Sequence, residues 1–239
     1  MFRNKRLLAV VPARGGSKGI KFKNLCTVGG VPLVARVGHV VAKCNFIDRA
    51  VISTDHAEIA RVAVAAGLAA PFFRPDSLSG DRVSDWDVLA HALNAMEALD
   101  NTHYDIIVML QPTSPSRTSQ HVLHTVTRLV EGGFDAVWTV SETDSKSHPL
   151  KQLVVDSEGR LEWYDPAGAT IIARQQLKPV YHRNGIAYAI TRSCLLEQNT
   201  IKGASTGALV IDERVINIDT EYDLELANFL MSIRTVPER

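Results

Sequence analysis

Residues 7–24 read LLAVVPARGGSKGIKFKN. The first five, Leu7–Val11, form an unbroken apolar run, the pattern of a strand buried on both faces of a sheet. Pro12–Asn24 follows at once, with Gly15, Gly16 and Gly19 interleaved among Arg14, Lys18, Lys21 and Lys23. Glycines clear side chains from the backbone, so its N–H groups approach an anion closely, and the cations add charge. The stretch reads as a phosphate-binding loop; the alternative is a glycine-rich surface turn with solvated lysines. It fits neither of two common phosphate loops. A Walker A loop needs G-x-x-x-x-G-K-[ST], an order absent here, and the dinucleotide fingerprint G-x-G-x-x-G is half present, with Arg14 in place of its first glycine.

The rest of the chain repeats the strand-then-helix rhythm. Strands are expected at Leu7–Val11, Arg49–Ser53, Ile106–Leu110, Asp135–Val140, Ile186–Ile190 and Leu209–Ile218, and helices at Val31–Lys43, Ala57–Ala66, Trp86–Leu99, Gln120–Val130 and Glu221–Ser232. Pro32 suits a first helical position, and Asp55/Glu58, Ser84/Asp87 and Thr220/Asp223 have capping-box spacing or its acidic variant. Buried runs alternating with amphipathic helices predict an α/β fold, a mostly parallel sheet with helices on both faces. Between Ser141 and His182 the alternation lapses into hairpins and loops, with DSEG at 156–159 a turn. The expectation is one domain over residues 1–239, carrying an inserted hairpin or lid at about 141–183. Ligands of such sheets sit beyond the carboxyl ends of the strands, which selects Pro12–Asn24, Thr54–Asp55, Gln111–Arg117, the Ser141 segment and Asp219–Thr220.

Composition narrows the function. The 239 residues hold 26 Lys+Arg against 26 Asp+Glu and are 46% hydrophobic. That excludes intrinsic disorder and argues against general nucleic-acid binding, which needs a basic excess. No window approaches the roughly 18 apolar residues of a membrane span, and Pro12 breaks the short apolar run near the start, which does not read as a signal peptide. Cys26, Cys44 and Cys194 have neither metal-ligand nor disulfide spacing. A soluble, cytoplasmic protein is expected. The even balance hides an asymmetry: nine basic residues precede the first acid, Asp48, while Leu209–Leu230 holds six acids and one base. A basic loop opposite an acidic strip suits a polyanion and its divalent metal, although solvated faces account for the same pattern.

VPARGGSKGIKFKN (residues 11–24) resembles the signature of the nonulosonate cytidylyltransferases, the CMP-sialic acid synthetase group. Four more segments agree in order: FRPDSLSGD (73–81), LQPTSPSR (110–117), ARQQLKPVYHRNGIAYAI (173–190) and INIDTEYDLELA (216–227). The resemblance covers nearly the full length and implies a nucleotide-diphospho-sugar transferase-like fold. It also implies transfer of CMP from CTP to the anomeric hydroxyl of a sialic-type nonulosonic acid, with release of pyrophosphate.

Residue roles follow from the same resemblance. Arg14 matches an arginine at the phosphates, where a guanidinium holds two oxygens at once. Lys23 and Asn24 close the loop on phosphate and nucleotide; Lys18 is a third basic position, and Ala13, Gly15 and Gly16 lend backbone. Arg74 matches a nucleotide-side arginine, with a surface salt bridge as its alternative. Ser84 is a nucleotide contact or a helix cap. Gln111 stands between nucleotide and sugar, and Pro112 and Pro115 stiffen its turn, leaving Thr113, Ser114 and Arg117 as structure. Arg174 and Arg183 match two arginines for the sugar carboxylate, Arg174 closest to the reaction, with Asn184 and Lys151 as further sugar contacts. His121 and His124 read as a solvated helical face, and His182 as loop structure. Asp219, expected to end the last strand, is the Mg²⁺ ligand. Where the family reads I-D-I-D, this chain has Ile216-Asn217-Ile218-Asp219. On a strand Asn217 and Asp219 share a face, so Asn217 is a second ligand that lacks a charge. A homodimer through the inserted segment is implied as well. Two other functions stay open: a CTP- or sugar-binding relative without turnover, motivated by Asn217, and a nicotinamide-dependent oxidoreductase, motivated by the strand–glycine–loop order.

Overall fold

Leu7–Val11 is completely buried, and its side chains divide between two cores, Leu7, Ala9 and Val11 to one face and Leu8 and Val10 to the other. That two-sided burial is what a period-2 backbone does with a run lacking polar residues. The structure, a computed structural model, describes residues 1–234. In chain order its strands are β1 (Leu7–Pro12), β2 (Thr27–Val28), β3 (Val31–Pro32), β4 (Arg49–Ser53), β5 (Ile106–Met109), β6 (Ala136–Glu142), β7 (Leu153–Val155), β8 (Leu161–Trp163), β9 (Tyr181–Thr191) and β10 (Thr206–Val210). Its α-helices are α1 (Leu33–Val41), α2 (Ala57–Ala65), α3 (Asp85–Asp100), α4 (Ser119–Gly132), α5 (Arg192–Leu196) and α6 (Glu221–Arg234).

Six strands form the central sheet in the order β10-β6-β9-β5-β1-β4. β1 pairs in parallel with β4 and β5, β10 pairs in parallel with β6, and β9 runs antiparallel to both β5 and β6. Helices α1, α2 and α4 bury Val34, Ile59 and Val122 against one face; α3 and α5 bury Leu93 and Leu195 against the other. The sheet is mostly parallel and covered on both sides, as the apolar runs predict. Among the described residues no helix is long and apolar enough to cross a membrane.

Several local expectations need correction. The last strand stops at Val210; Ile211–Thr220 is irregular chain pinned by the Ile218 N–H to the Thr113 carbonyl at 2.8 Å. Its apolar residues do not signal a strand because they divide between two clusters, Ile211 and Val215 joining the main core and Ile216 and Ile218 a small side cluster with Ile20, Val28, Leu33 and Ala227. Asp219 therefore sits in a loop, and strand alternation does not place Asn217 beside it. Pro32 lies one residue ahead of α1, at its N-cap. Asp55 caps nothing, since α2 begins after His56 with no side-chain cap. The Ser84/Asp87 box on α3 and the Thr220/Asp223 box on α6 both form. His121 completes a further box with Thr118 on α4, a role its apparent place on a polar face concealed.

The inserted segment is shorter than the lapse in periodicity suggested. Glu142 of β6 still pairs with Tyr181 of β9, so both ends of the insertion extend the main sheet. Between them β7 and β8 form an antiparallel hairpin closed by Asp156, whose carboxylate accepts from the Glu158 and Arg160 N–H groups.

Candidate active site

The loop behind β1 is held from within and by two distant segments. The Ala13 N–H donates to the Ser53 carbonyl at 2.9 Å, and its methyl lies in the core. Asn24, buried, donates from Nδ2 to the Arg14 carbonyl at 2.9 Å, which ties the two ends of the loop together. The Gly15 N–H donates to Asp55 Oδ1 at 2.7 Å. Ile20 enters the cluster with Ile218 and so carries the loop to the chain ahead of α6. At Gly19 the two segments touch: a Cβ there would lie 2.4 Å from the Asp219 carbonyl oxygen, so only glycine fits.

This arrangement forms a cleft of about 520 Å³ beyond the carboxyl ends of β1 and β5. Arg14, Lys18, Lys23 and Asn24 line it from the loop, and Arg74 and Asp85 from the opposite side. Gln111, Asn217 and Asp219 complete it. Three of the loop cations have carboxylate partners: Arg14 and Lys18 share Asp81, at 2.7 and 2.5 Å, and Lys23 meets Asp219 at 2.9 Å. These cations lower the pKa of the Asp81 carboxyl, chiefly through the Lys18 and then the Arg14 hydrogen bond. Gly16 is exposed and a Cβ on it would meet nothing, so it contributes an open approach to the backbone.

Arg74 differs from the other cations. It is 5% exposed, and its Nε and Nη2 have no hydrogen-bond partner. Its backbone N–H, given to the Thr54 carbonyl at 2.8 Å, fixes its position. Burial lowers its pKa, opposed by the charge of Asp55. A buried guanidinium with free donors on a cavity wall is costly unless an acceptor arrives, which favours a ligand contact over a surface salt bridge.

Gln111 stands two residues beyond the end of β5, and Gly185 packs against it. At φ +73° a Cβ on Gly185 would lie 2.6 Å from Ser114 Oγ and 2.8 Å from Gln111 Oε1. Ser114 donates to the Asn184 carbonyl at 2.7 Å, and buried Arg117 donates to the carbonyls of Gln111, Gly185 and Ile186. Ser114 and Arg117 are thus the frame that holds the Gln111 backbone, and the Thr113 carbonyl ties the same turn to Ile218. Asn184, 2% exposed, belongs to the same frame: its Oδ1 accepts from Thr139 Oγ1 at 2.7 Å and its Nδ2 donates to Ser141 at 3.1 Å.

The remaining residues expected at the sugar are dispersed. Arg183 is bound to Asp85 at 2.9 Å and lies over the rings of Trp138 and Tyr188, 5.0 and 5.2 Å from their centroids. Through Asp85 it reaches the wall of the nucleotide-sized cavity. Arg174 lines a separate cavity of about 480 Å³ with Lys178 and Arg214. Lys151 lies exposed at the end of a short helical turn, Pro149–Lys151. Ser84 is occupied as the cap of α3 and does not line the cavity.

On the acidic side, Asp219 Oδ2 lies 3.4 Å from Asn217 Nδ2, and Asn217 Oδ1 is buried without a partner. An unpaired amide oxygen beside a carboxylate is a donor set that fits a hard cation. Among the described residues no three His, Cys, Asp or Glu side chains cluster for metal binding. A cation here would fill its shell with phosphate oxygens and water.

Asp55, Asp81 and Asp85 escaped sequence reasoning as site residues. Asp81 closes the FRPDSLSGD segment and Asp55 lies in a loop at the carboxyl end of a strand, so their positions were legible; their pairing with the loop was not.

The model of the cytidylyltransferase family matches residues 8–229. The chain is 30% identical over 230 residues to a CMP-N,N'-diacetyllegionaminic acid synthase of Legionella pneumophila, covering 95% of this chain and 97% of that protein. It is 27% identical over 227 residues to a pseudaminic acid cytidylyltransferase of Campylobacter jejuni, covering 95% and 96%. A solved CMP:2-keto-3-deoxy-manno-octonic acid synthetase complexed with CTP shares the fold, with a TM-score of 0.68 and 18% identity over 96% of this chain and 99% of that one.

Proposed function

The chain belongs to the cytidylyltransferase family, and we infer that it transfers CMP from CTP to the anomeric hydroxyl of a nonulosonic acid. The observation that carries the nucleotide's placement is the cavity behind β1, lined by Arg14, Lys18, Lys23 and the unpartnered Arg74 together with Asp219. In the reaction the anomeric hydroxyl oxygen attacks the α-phosphorus and gives up its proton, the bond from the α-phosphorus to the oxygen bridging to the β-phosphorus breaks, and pyrophosphate leaves with that oxygen. The protein's share is positioning and neutralisation of charge. Arg14 and Lys18 take phosphate oxygens when Asp81 yields them, and Lys23 turns from Asp219 to the same chain of phosphates. Arg74 offers two buried donors to the nucleotide. Gln111, held by its frame, lies between nucleotide and sugar.

Mg²⁺ is the cofactor we assign; Asp219 and the Asn217 oxygen would hold it, and it would supply neutralisation of charge on the departing pyrophosphate. Arg183, reaching the cavity through Asp85, is the sugar-carboxylate contact best supported by position. Arg174 and Lys151 lie on the inserted segment, so their approach to the sugar depends on how that segment seats in an assembly. The β7–β8 hairpin exposes Leu153, Val155, Leu161 and Trp163, and nearby Tyr164 and Ile172, an apolar surface that supports a homodimer. The three cysteines are free, which suits a cytoplasmic setting.

The test is pyrophosphate release from CTP and Mg²⁺ with a panel of legionaminic, pseudaminic and N-acetylneuraminic acids. Release with at least one acid is expected. Tight CTP binding without release from any of them would indicate a binding relative, and preferential NAD(H) binding an oxidoreductase.

A further inference from the structure

Asp81 stands apart from the other carboxylates at the loop. Asp55 accepts a backbone N–H and so helps shape the loop, and Asp219 lies on the metal side. Asp81 gives one oxygen to Arg14 and the other to Lys18. It belongs to the exposed connection between the turn Asp76–Leu78 and α3, where its carboxylate bears on no buried group. Two carboxylate oxygens bridging two loop cations reproduce the contacts of two phosphate oxygens. Resting on the placement of the triphosphate in this cavity, we propose that Asp81 is a built-in competitor for the β- and γ-phosphates. It occupies Arg14 and Lys18 in the free protein, gives way to the triphosphate, and returns as pyrophosphate leaves.

The electrostatics favour such an exchange. Lys18 is 77% exposed and Arg14 29%, so water screens both pairs and neither is strong. A triphosphate has several charges and many oxygens, and it can displace one carboxylate. A singly charged anion meets the same two cations with no advantage over Asp81. The carboxylate thus selects for polyphosphate and weakens the hold on the product, whose retention would otherwise block the next CTP.

Calorimetry of pyrophosphate and of CTP, each with and without Mg²⁺, tests this on the wild type, Asp81→Asn, Asp81→Glu and Asp76→Asn. Asp81→Asn is expected to bind pyrophosphate about three- to tenfold more tightly, the effect of losing two exposed ion pairs. Its KM for CTP falls without a rise in kcat, and Asp81→Glu stays near the wild type. Unchanged or weaker binding in Asp81→Asn overturns the inference, because a carboxylate that merely braced Arg14 and Lys18 would weaken binding when removed. Equal tightening in Asp76→Asn, an exposed acid of the same segment, also overturns it by reducing the effect to net charge. A wild type that binds neither CTP nor pyrophosphate overturns the placement of the nucleotide instead.

Discussion

Gly19 passes the carbonyl of Asp219 with no room for a methyl group, a Cβ there falling 2.4 Å from that oxygen. The contact joins the basic loop to the acidic segment from the far end of the chain, and Ile20 and Ile218 seal it by packing in one cluster. Burial of two such side chains supplies roughly 1.5–3 kcal/mol each. Gly19→Ala must push the loop away from Asp219. The expected result is a loss of about a hundredfold in kcat/KM for CTP, the cost of misplacing reacting groups by about an ångström. Circular dichroism should remain that of the wild type, and steady-state kinetics check the loss.

Arg74→Met separates stability from binding. Removing a buried cation with unpaired donors leaves the thermal unfolding midpoint unchanged or raises it. A hydrogen bond from a charged donor is worth about 1.5–3 kcal/mol, so the loss of even one should lower CTP affinity about ten- to a hundredfold. Scanning calorimetry and CTP titration of the same preparation give both quantities. A lowered midpoint with unchanged affinity would show Arg74 to be structural.

Asn217→Asp adds the charge that the position lacks. Asp219 now has Lys23 on one oxygen and the Asn217 amide near the other. A second carboxylate should lower the Mg²⁺ concentration needed for half-maximal activity several-fold and strengthen the Mn²⁺ signal lost on binding in spin resonance. An unchanged metal requirement removes position 217 from the metal site.

Glu97 makes stability depend on pH at the other end of the sheet. Burial pushes its pKa up, but hydrogen bonds from Arg192, the Tyr104 N–H and His103 overcome this and bring it from 4.5 to about 2. Arg192 grips both oxygens, at 2.9 and 3.1 Å. A carboxyl whose pKa is lower in the folded protein stabilises it fully above the unfolded value of about 4.5, and the effect is lost as pH falls towards 2. Glu97→Gln should therefore be less stable than the wild type in urea at pH 7, with the gap narrowing steadily between pH 4.5 and 2. A gap that persists at pH 2 would assign the loss to packing.

Much of the site could be read because its elements are local. Arg14, Lys18, Lys23 and Asn24 lie within one short stretch, and the apolar run before it forces them to the carboxyl end of a strand. The Asp156–Arg160 turn and the caps at Ser84 and Thr220 were legible for the same reason. The strand expected over Leu209–Ile218 holds only as far as Val210, because beyond it apolar residues of irregular chain, Ile211 and Val215 on the main core and Ile216 and Ile218 in a side cluster, look like strand residues bound for a sheet. Asp55 was read as a cap from its spacing to Glu58, yet it serves the loop behind β1.

By itself the sequence determined the two-faced burial of the central strands, the cationic glycine loop behind the first of them, and the irregular insertion, because each depends on the order of polar and apolar residues along a few turns of chain. Only the tertiary structure decided that Asp81 holds Arg14 and Lys18, that Lys23 meets Asp219, that Arg74 is left with free donors, and that Asp85 holds Arg183. Those relations join segments far apart in the chain, and the packing of the sheet and its side clusters sets the distances that make a charge a partner.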